Sequence, residues 1–206
     1  FAVILVKQLF GGLGDNFLNP AMAARAVLLA SWPVHMTSFV LPTFFSGADA
    51  VTGATPLATK SAQLMDLFMG NIPGTIGEVS KVAILLGLLI LLFTRTITWH
   101  IPFTMVASVF VFSWLFGADP VYAILSGGVL FGAVFMATDY VTNPMTASGK
   151  MIYAAGIGLI IAVIRQFGAY PEGVTYGILL MNIATPLIER FLPRKIYGHQ
   201  KEAKKA

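Results

Sequence analysis

Twelve consecutive residues, Val82 to Phe93 (VAILLGLLILLF), carry no charge and no polar side chain. Such a run must be buried in protein or in lipid, and at this length it fits either a core helix or part of a membrane span. The rest of the chain decides between them. Of its 206 residues, 57% are hydrophobic and only 11% charged, where a soluble domain has about 45–50% and 25%. That balance excludes a typical cytosolic enzyme, a disordered chain and a nucleic-acid binder. It predicts an integral membrane protein, with room for roughly five to seven spans at ~20 residues each.

The chain has no cysteine, which excludes disulfides, thiolate-held iron–sulfur clusters and cysteine nucleophiles. Phe1 to Phe10 is already apolar, with no basic leader and no cleavage signal. It reads as the tail of a helix that begins earlier, and the chain as the C-terminal part of a larger subunit. Six of the thirteen Lys and Arg residues fall between Arg190 and Lys205, which places the C-terminus in the cytoplasm.

Working back from that end, spans are expected at Gly173–Leu192, Met151–Phe167, Pro120–Ala137, Ile101–Phe116 and Glu78–Phe93. Alternation puts the Arg95 and Lys150 loops inside and residues of about 34 to 77 outside, where Lys60 is the only basic residue. The expected fold is therefore all-α and polytopic: about five full transmembrane helices, the tail of an earlier helix and a half-helix. Residues 1–193 form the membrane domain, with 34–77 as an outer segment, and 194–206 a basic cytoplasmic tail.

The half-helix is Pro20 to Pro33, apolar but too short to cross. It follows Gly11-Gly12-Leu13-Gly14, with Asn19 as N-cap and Pro20 in the first turn. A second Asn-Pro pair, Asn143-Pro144, hints at an internal repeat; two ordinary turns would look the same. Arg25 lies inside the half-helix, where a lone cation needs a partner. Asn16 and Asn19 offer amide hydrogen bonds to a polar ligand. Glu78, Asp139 and Glu172 stand near span ends as candidates for contacts with an ion or a flavin, and as helix N-caps in the blander alternative. His35 and His100 fall on opposite sides of this topology, so a bis-His haem is excluded. Trp32, Trp99 and Trp114 lie near span ends, as interfacial anchors do.

Asp49-Ala50-Val51-Thr52-Gly53-Ala54-Thr55-Pro56 is a small-residue loop ending in a hydroxyl before proline. The proline biases Thr55 toward extended backbone, accessible to a modifying enzyme; a simple turn before a helix is the alternative. Its Asp-x-x-Thr-Gly-Ala-Thr pattern resembles the flavinylation signature of bacterial membrane redox complexes, with Thr52 where Ser is usual. Phe10 to Ala21, Pro73 to Glu78, Phe135 to Asp139, Tyr170 to Val174 and Leu180 to Asn182 are similar to further motifs of one family. That family unites the B subunit of sodium-translocating NADH:quinone oxidoreductase with the D subunit of the Rnf complex. The short loops and basic C-terminus are more like the Rnf side. Tyr140 departs from the pattern by replacing its usual Pro.

The resemblance implies covalent FMN, joined through its phosphate to Thr55, with Asp49, Thr52, Gly53 and Ala54 as the recognition context. It also implies a noncovalent riboflavin near Asn16, Asn19 and Arg25. The implied setting is the bacterial cytoplasmic membrane, in a redox-driven translocase that is not active as this chain alone. The implied partners are other membrane and peripheral subunits, a second flavinylated subunit, and a flavin transferase. No metal site and no catalytic acid or base are expected. A transporter or channel of the urea or ammonium kind would share the half-helix, and a purely structural subunit would share the spans. Neither gives the Asp49–Thr55 pattern a role.

Overall fold

The computed structural model describes residues 1–9, 12, 14–40, 52, 53, 55–59, 62–75, 77–168 and 172–193. The expected 194–206 tail, Asp49 and Ala54 lie outside the described residues. The chain begins with α1 (Ala2–Gln8), wound as a π-helix, and continues to α2 (Pro20–Ser31) and the short α3 (Pro33–Thr37). Next come β1 (Phe39–Val40) and β2 (Thr52–Gly53), a two-residue antiparallel pair with Phe39 opposite Gly53. The short helices α4 (Pro56–Thr59) and α5 (Leu64–Met69) precede α6 (Lys81–Phe93) and α7 (His100–Leu115). Then follow α8 (Pro120–Leu125), α9 (Val129–Phe131) running on as a π-wound stretch (Gly132–Met136), α10 (Ala147–Phe167) and α11 (Val174–Phe191).

The half-helix forms as its local sequence dictates. Asn19 accepts from the backbone N–H groups of Ala21 and Met22 at 3.0 and 3.1 Å, and Pro20 fills the first turn, where no N–H is needed. The second Asn-Pro pair does something else. Asn143 donates back to Asp139 O at 2.7 Å, and Thr146 is the residue that caps α10.

One expected span is not continuous. Pro120–Ala137 breaks at Ser126–Gly128, between α8 and α9. Gly127 takes a φ of +62°, a left-handed conformation that favours glycine, so the helix stops there although its flanks are apolar.

The centre of the molecule is α10, packed closely on α7 and α11. Met105, Val109, Tyr153, Ala154, Ile157, Ile161 and Ile178 form one buried cluster with Val129 and Ala133. Small residues allow the approach. A Cβ on Gly158 would collide with Ser108 Oγ and fall 2.9 Å from Val109 N, the close helix contact typical of membrane bundles. Hydroxyls between these helices are paired: Ser108 donates to Met105 O, and Thr185 donates to Thr142 O at 3.0 Å.

Among the described helices, α10 alone is both at least 18 residues long and apolar enough to cross a membrane; α2, α6 and α7 are apolar but shorter. Outward faces are apolar too. Leu86, Leu89, Ile90 and Phe93 of α6 are largely exposed, as are Trp114 and Leu115 of α7 and Ile183, Leu187 and Phe191 of α11. Faces of this size need lipid or neighbouring subunits to cover them.

Candidate functional site

The two ends of α2 reach two different cavities. At its C-terminal side Arg25 points into a cavity of about 250 Å³. Its guanidinium bridges two carboxylates that are far apart in sequence. Nη1 donates to Glu78 Oε1 at 2.7 Å and Nη2 to Glu172 Oε1 at 2.6 Å. The side chains are only 20% (Arg25), 10% (Glu78) and 21% (Glu172) exposed, so the triad is weakly screened by water. Burial raises Glu172, in the loop before α11, above the usual carboxylate range; Arg25 pulls it the other way.

Neither glutamate is a cap. Ser80 caps α6 by accepting from Ala83 N at 3.3 Å, and α11 starts at Gly173 without a side-chain cap. The N-cap alternative is therefore corrected: a buried cation on another helix is the stronger partner for both.

Thr55 lines this same cavity, together with Pro56, Gly74, Thr75 and Lys81. The segment that carries it is strapped at several points. β2 pairs with β1 just before it. Tyr122 of α8 donates its hydroxyl to Pro56 O at 2.7 Å. Gly53 lies against Pro73, where a Cβ would touch its Cγ at 3.4 Å. Leu57 reaches Gly127 at the helix break. Thr52 and Gly53 thus sit on the strand that leads into Thr55.

Two cations complete the cluster, and neither was expected at the site. Lys81 is 1% exposed and donates to Glu78 O and, at 3.3 Å, to Gly127 O. Arg165 of α10 donates to Ala123 O at 2.6 Å and Ser126 O at 3.2 Å. A lysine at the start of an apolar run reads as an interfacial residue. What could have drawn attention to it is the Gly127-Gly128 pair, which leaves space for charged groups to press on the backbone: a Cβ on Gly128 would lie 2.8 Å from Glu78 Oε1.

The other end of α2 is built from amides and hydroxyls. Asn19 donates to Met136 O at 2.9 Å, and Asn16 to Leu18 O at 3.0 Å. Both line a cavity of about 510 Å³ with Thr96, Thr138 and Asp139. Asp139 accepts from Thr142 Oγ1 at 3.1 Å. Nearby, Asn182 meets the Tyr153 hydroxyl at 2.6 Å. With its amide turned to satisfy both neighbours, it also accepts from Asn19 N at 2.9 Å. The structure thus brings Asn16 and Asn19 together with Asp139, and not with Arg25. It brings Arg25 together with Glu78, Glu172 and the cavity of Thr55. Among the described residues no group of His, Asp and Glu is placed to hold a metal.

Lys150 Nζ lies 3.5 Å from Thr98 Oγ1. The loop after α6 and the start of α10 therefore share one end of the molecule.

Residues 1–198 match the NQR2, RnfD, RnfE family. Over its whole length the chain is 52% identical to the D subunit of the Na(+)-translocating ferredoxin:NAD(+) oxidoreductase complex of Acetobacterium woodii, covering 67% of that protein. It is 42% identical, over 96% of its length, to the proton-translocating counterpart of Clostridium ljungdahlii, covering 66% of it. It is 38% identical, over 99% of its length, to the D subunit of the ion-translocating oxidoreductase complex of Stutzerimonas stutzeri, covering 70%. The chain thus spans about two thirds of the length of these relatives.

Proposed function

Since the chain belongs to the NQR2, RnfD, RnfE family, we propose that it is the flavin-carrying membrane part of an Rnf-type ion-translocating ferredoxin:NAD oxidoreductase, located in the bacterial cytoplasmic membrane. In this reading FMN is esterified to Thr55 through its phosphate, and the complex couples electron transfer to export of Na⁺ or H⁺. The Thr55 segment lies on the outer side and the basic C-terminus in the cytoplasm. The chain acts as one subunit among membrane and peripheral partners, one of them also flavinylated, and needs a flavin transferase.

The observation that carries this reading is that Thr55 lines a cavity together with two cations, Arg25 and Lys81. Arg25 and Lys81 share its wall with Glu78 and Glu172, while Arg165 lies behind the helix break and lines the neighbouring cavity. Two cations and two anions line it, and one of the cations, Lys81, has only backbone oxygens as hydrogen-bond partners. A phosphodiester on Thr55 carries one negative charge, which Arg25 and Lys81 would meet on that wall, a strong effect where water is scarce. At about 250 Å³ the cavity is below the ~300–1,000 Å³ of pockets that enclose a whole ligand, and suits the phosphate end of the cofactor.

When bound, FMN supplies one-electron chemistry. The chain's own residues hold and tune. Tyr122 and the β1–β2 pair fix the Thr55 backbone, Arg25 and Lys81 offer positive charge to the phosphate, and Glu78 and Glu172 keep Arg25 in place. The 510 Å³ cavity beside Asn16 and Asn19 supports the noncovalent riboflavin of the same reading. The transporter alternative draws on half-helix α2 and leaves Thr55 without a role.

Peptide mass spectrometry and in-gel flavin fluorescence on the complex purified from its native membrane test the proposal. The expected result is the mass of FMN on the peptide containing Thr55, and loss of both mass and fluorescence in Thr55→Ala. An unmodified Thr55, from a host whose transferase modifies another subunit, overturns it.

A further inference from the structure

Backbone carbonyls released by an unwound membrane helix are the groups that coordinate monovalent cations in discontinuous-helix transporters, because buried carbonyls must find a partner. The Ser126–Gly128 break releases such carbonyls: Gly128 O is taken by Gly132 N in the helix that follows, and the donors that meet Ala123 O, Ser126 O and Gly127 O belong to cationic side chains from elsewhere in the chain. Arg165, on α10, takes Ala123 O and Ser126 O. Lys81, on α6, takes Gly127 O and ties it to Glu78 O, in the loop before its own helix. Lys81 is almost fully buried, and its ammonium is a compact point charge. Ser126 is 0% exposed, and its hydroxyl has no partner among the described residues. It is one more oxygen at the same break.

We propose that the break between α8 and α9 is a cation cage filled by the chain's own Lys81 and Arg165, which closes it to free sodium and potassium. Glu78 O and Gly127 O meet the ammonium, the Glu78 carboxylate stands beside Gly128 at the same break, and oxygen ligands suit hard cations. Without the ammonium the same oxygens face a vacated volume. The pocket then accepts a free monovalent cation. The lysine is what makes this helix break a joint and not a step on an ion path. Lys81 also lines the cavity of Thr55, so the test reads the Na⁺ dependence of melting, which the loss of a flavin contact would not create.

The test uses the whole complex in detergent, with Lys81→Ala, Lys81→Ser, Lys81→Met and Lys81→Arg. The melting temperature is followed as NaCl replaces choline chloride at constant ionic strength. The expected result is a saturable rise of a few degrees with Na⁺ in Lys81→Ala and Lys81→Ser, beyond any shift of the unmodified complex, as binding linkage requires. Lys81→Arg, which keeps the charge, and Lys81→Met, which fills the space, should show no added response. Assembled Ala and Ser variants that respond to Na⁺ like the unmodified complex overturn the cage. So does failure of both to assemble while Lys81→Arg assembles, since a cage open to free cations would have been filled by the ions of the cell.

Discussion

The two ends of α2 solve the same problem with different chemistry. Both bring polar groups into an apolar bundle and both abut a broken or π-wound stretch of the α8–α9 segment. At the Arg25 end, charge meets charge: one guanidinium holds two carboxylates from distant parts of the chain. At the Asn19 end, neutral amides meet backbone: one side chain caps a helix and binds Met136 O. Charged groups out of water are costly unless paired, and pairing them well is what makes their removal severe. Neutral amides ask less and give less. The difference assigns the tasks. In the proposed reading the Arg25 end receives the anion carried by Thr55, while the Asn19 end works as a joint that sets the angle of α2.

The largest effect should follow from Arg25→Met. It strands Glu78 and Glu172, and removing one partner of a buried pair costs about 3–5 kcal/mol; the residual exposure of these side chains favours the low end, about 3 kcal/mol. Thermal melting of the purified complex checks this. Adding Glu78→Gln and Glu172→Gln to Arg25→Met should return more than half of the loss, since no charge is then left unpaired. A single variant that melts like the unmodified complex would show that the triad does not hold α2, and the contrast between the two ends would collapse.

How much of this was legible in the sequence depends on the range of the interaction. Half-helix α2 was readable because its signals, Asn19 and Pro20, are adjacent and act on the next three residues. The Thr52–Thr55 pattern was readable as a motif, though the cavity it faces was not. The break at Ser126–Gly128 was missed, since two glycines in an apolar run are tolerated in many membrane helices. What fixes this break is Arg165, 39 residues away from Ser126, and Lys81, 46 residues from Gly127. Glu78 and Glu172 invited a local explanation because they stand near helix starts. Their actual partner, Arg25, is 53 and 147 residues distant, and no window along the chain contains it.

A smaller effect is expected from Asn19→Ala, which loses the cap and the bond to Met136 O. Caps of this kind are worth about 1–2 kcal/mol. Asn19→Asp separates the two roles. It keeps an oxygen for Ala21 N and Met22 N but turns an acceptor toward Met136 O, so it should melt no higher than Asn19→Ala. If Asn19→Asp melts like the unmodified complex, the cap alone matters, and the Asn19 end is a local helix start with no joint to the π-wound stretch.

The smallest effect should come from Asp139→Asn, and it bears most directly on what the Asn19 end does. The Asp139 carboxylate has one polar partner among the described contacts, the Thr142 hydroxyl at 3.1 Å. An amide oxygen accepts that bond equally well, and the Asn143 side chain binds the Asp139 backbone carbonyl, which the substitution leaves alone. The melting temperature should therefore shift by no more than the equivalent of about 1 kcal/mol. Redox-driven ion uptake by proteoliposomes holding the complex then gives the second reading. If uptake falls several-fold at unchanged stability, the carboxylate handles the ion, and the neutral end of α2 is the one nearer the ion path. If uptake is unchanged as well, Asp139 serves only its turn, and the work of the molecule rests at the charged end, where Arg25 and Thr55 share one cavity.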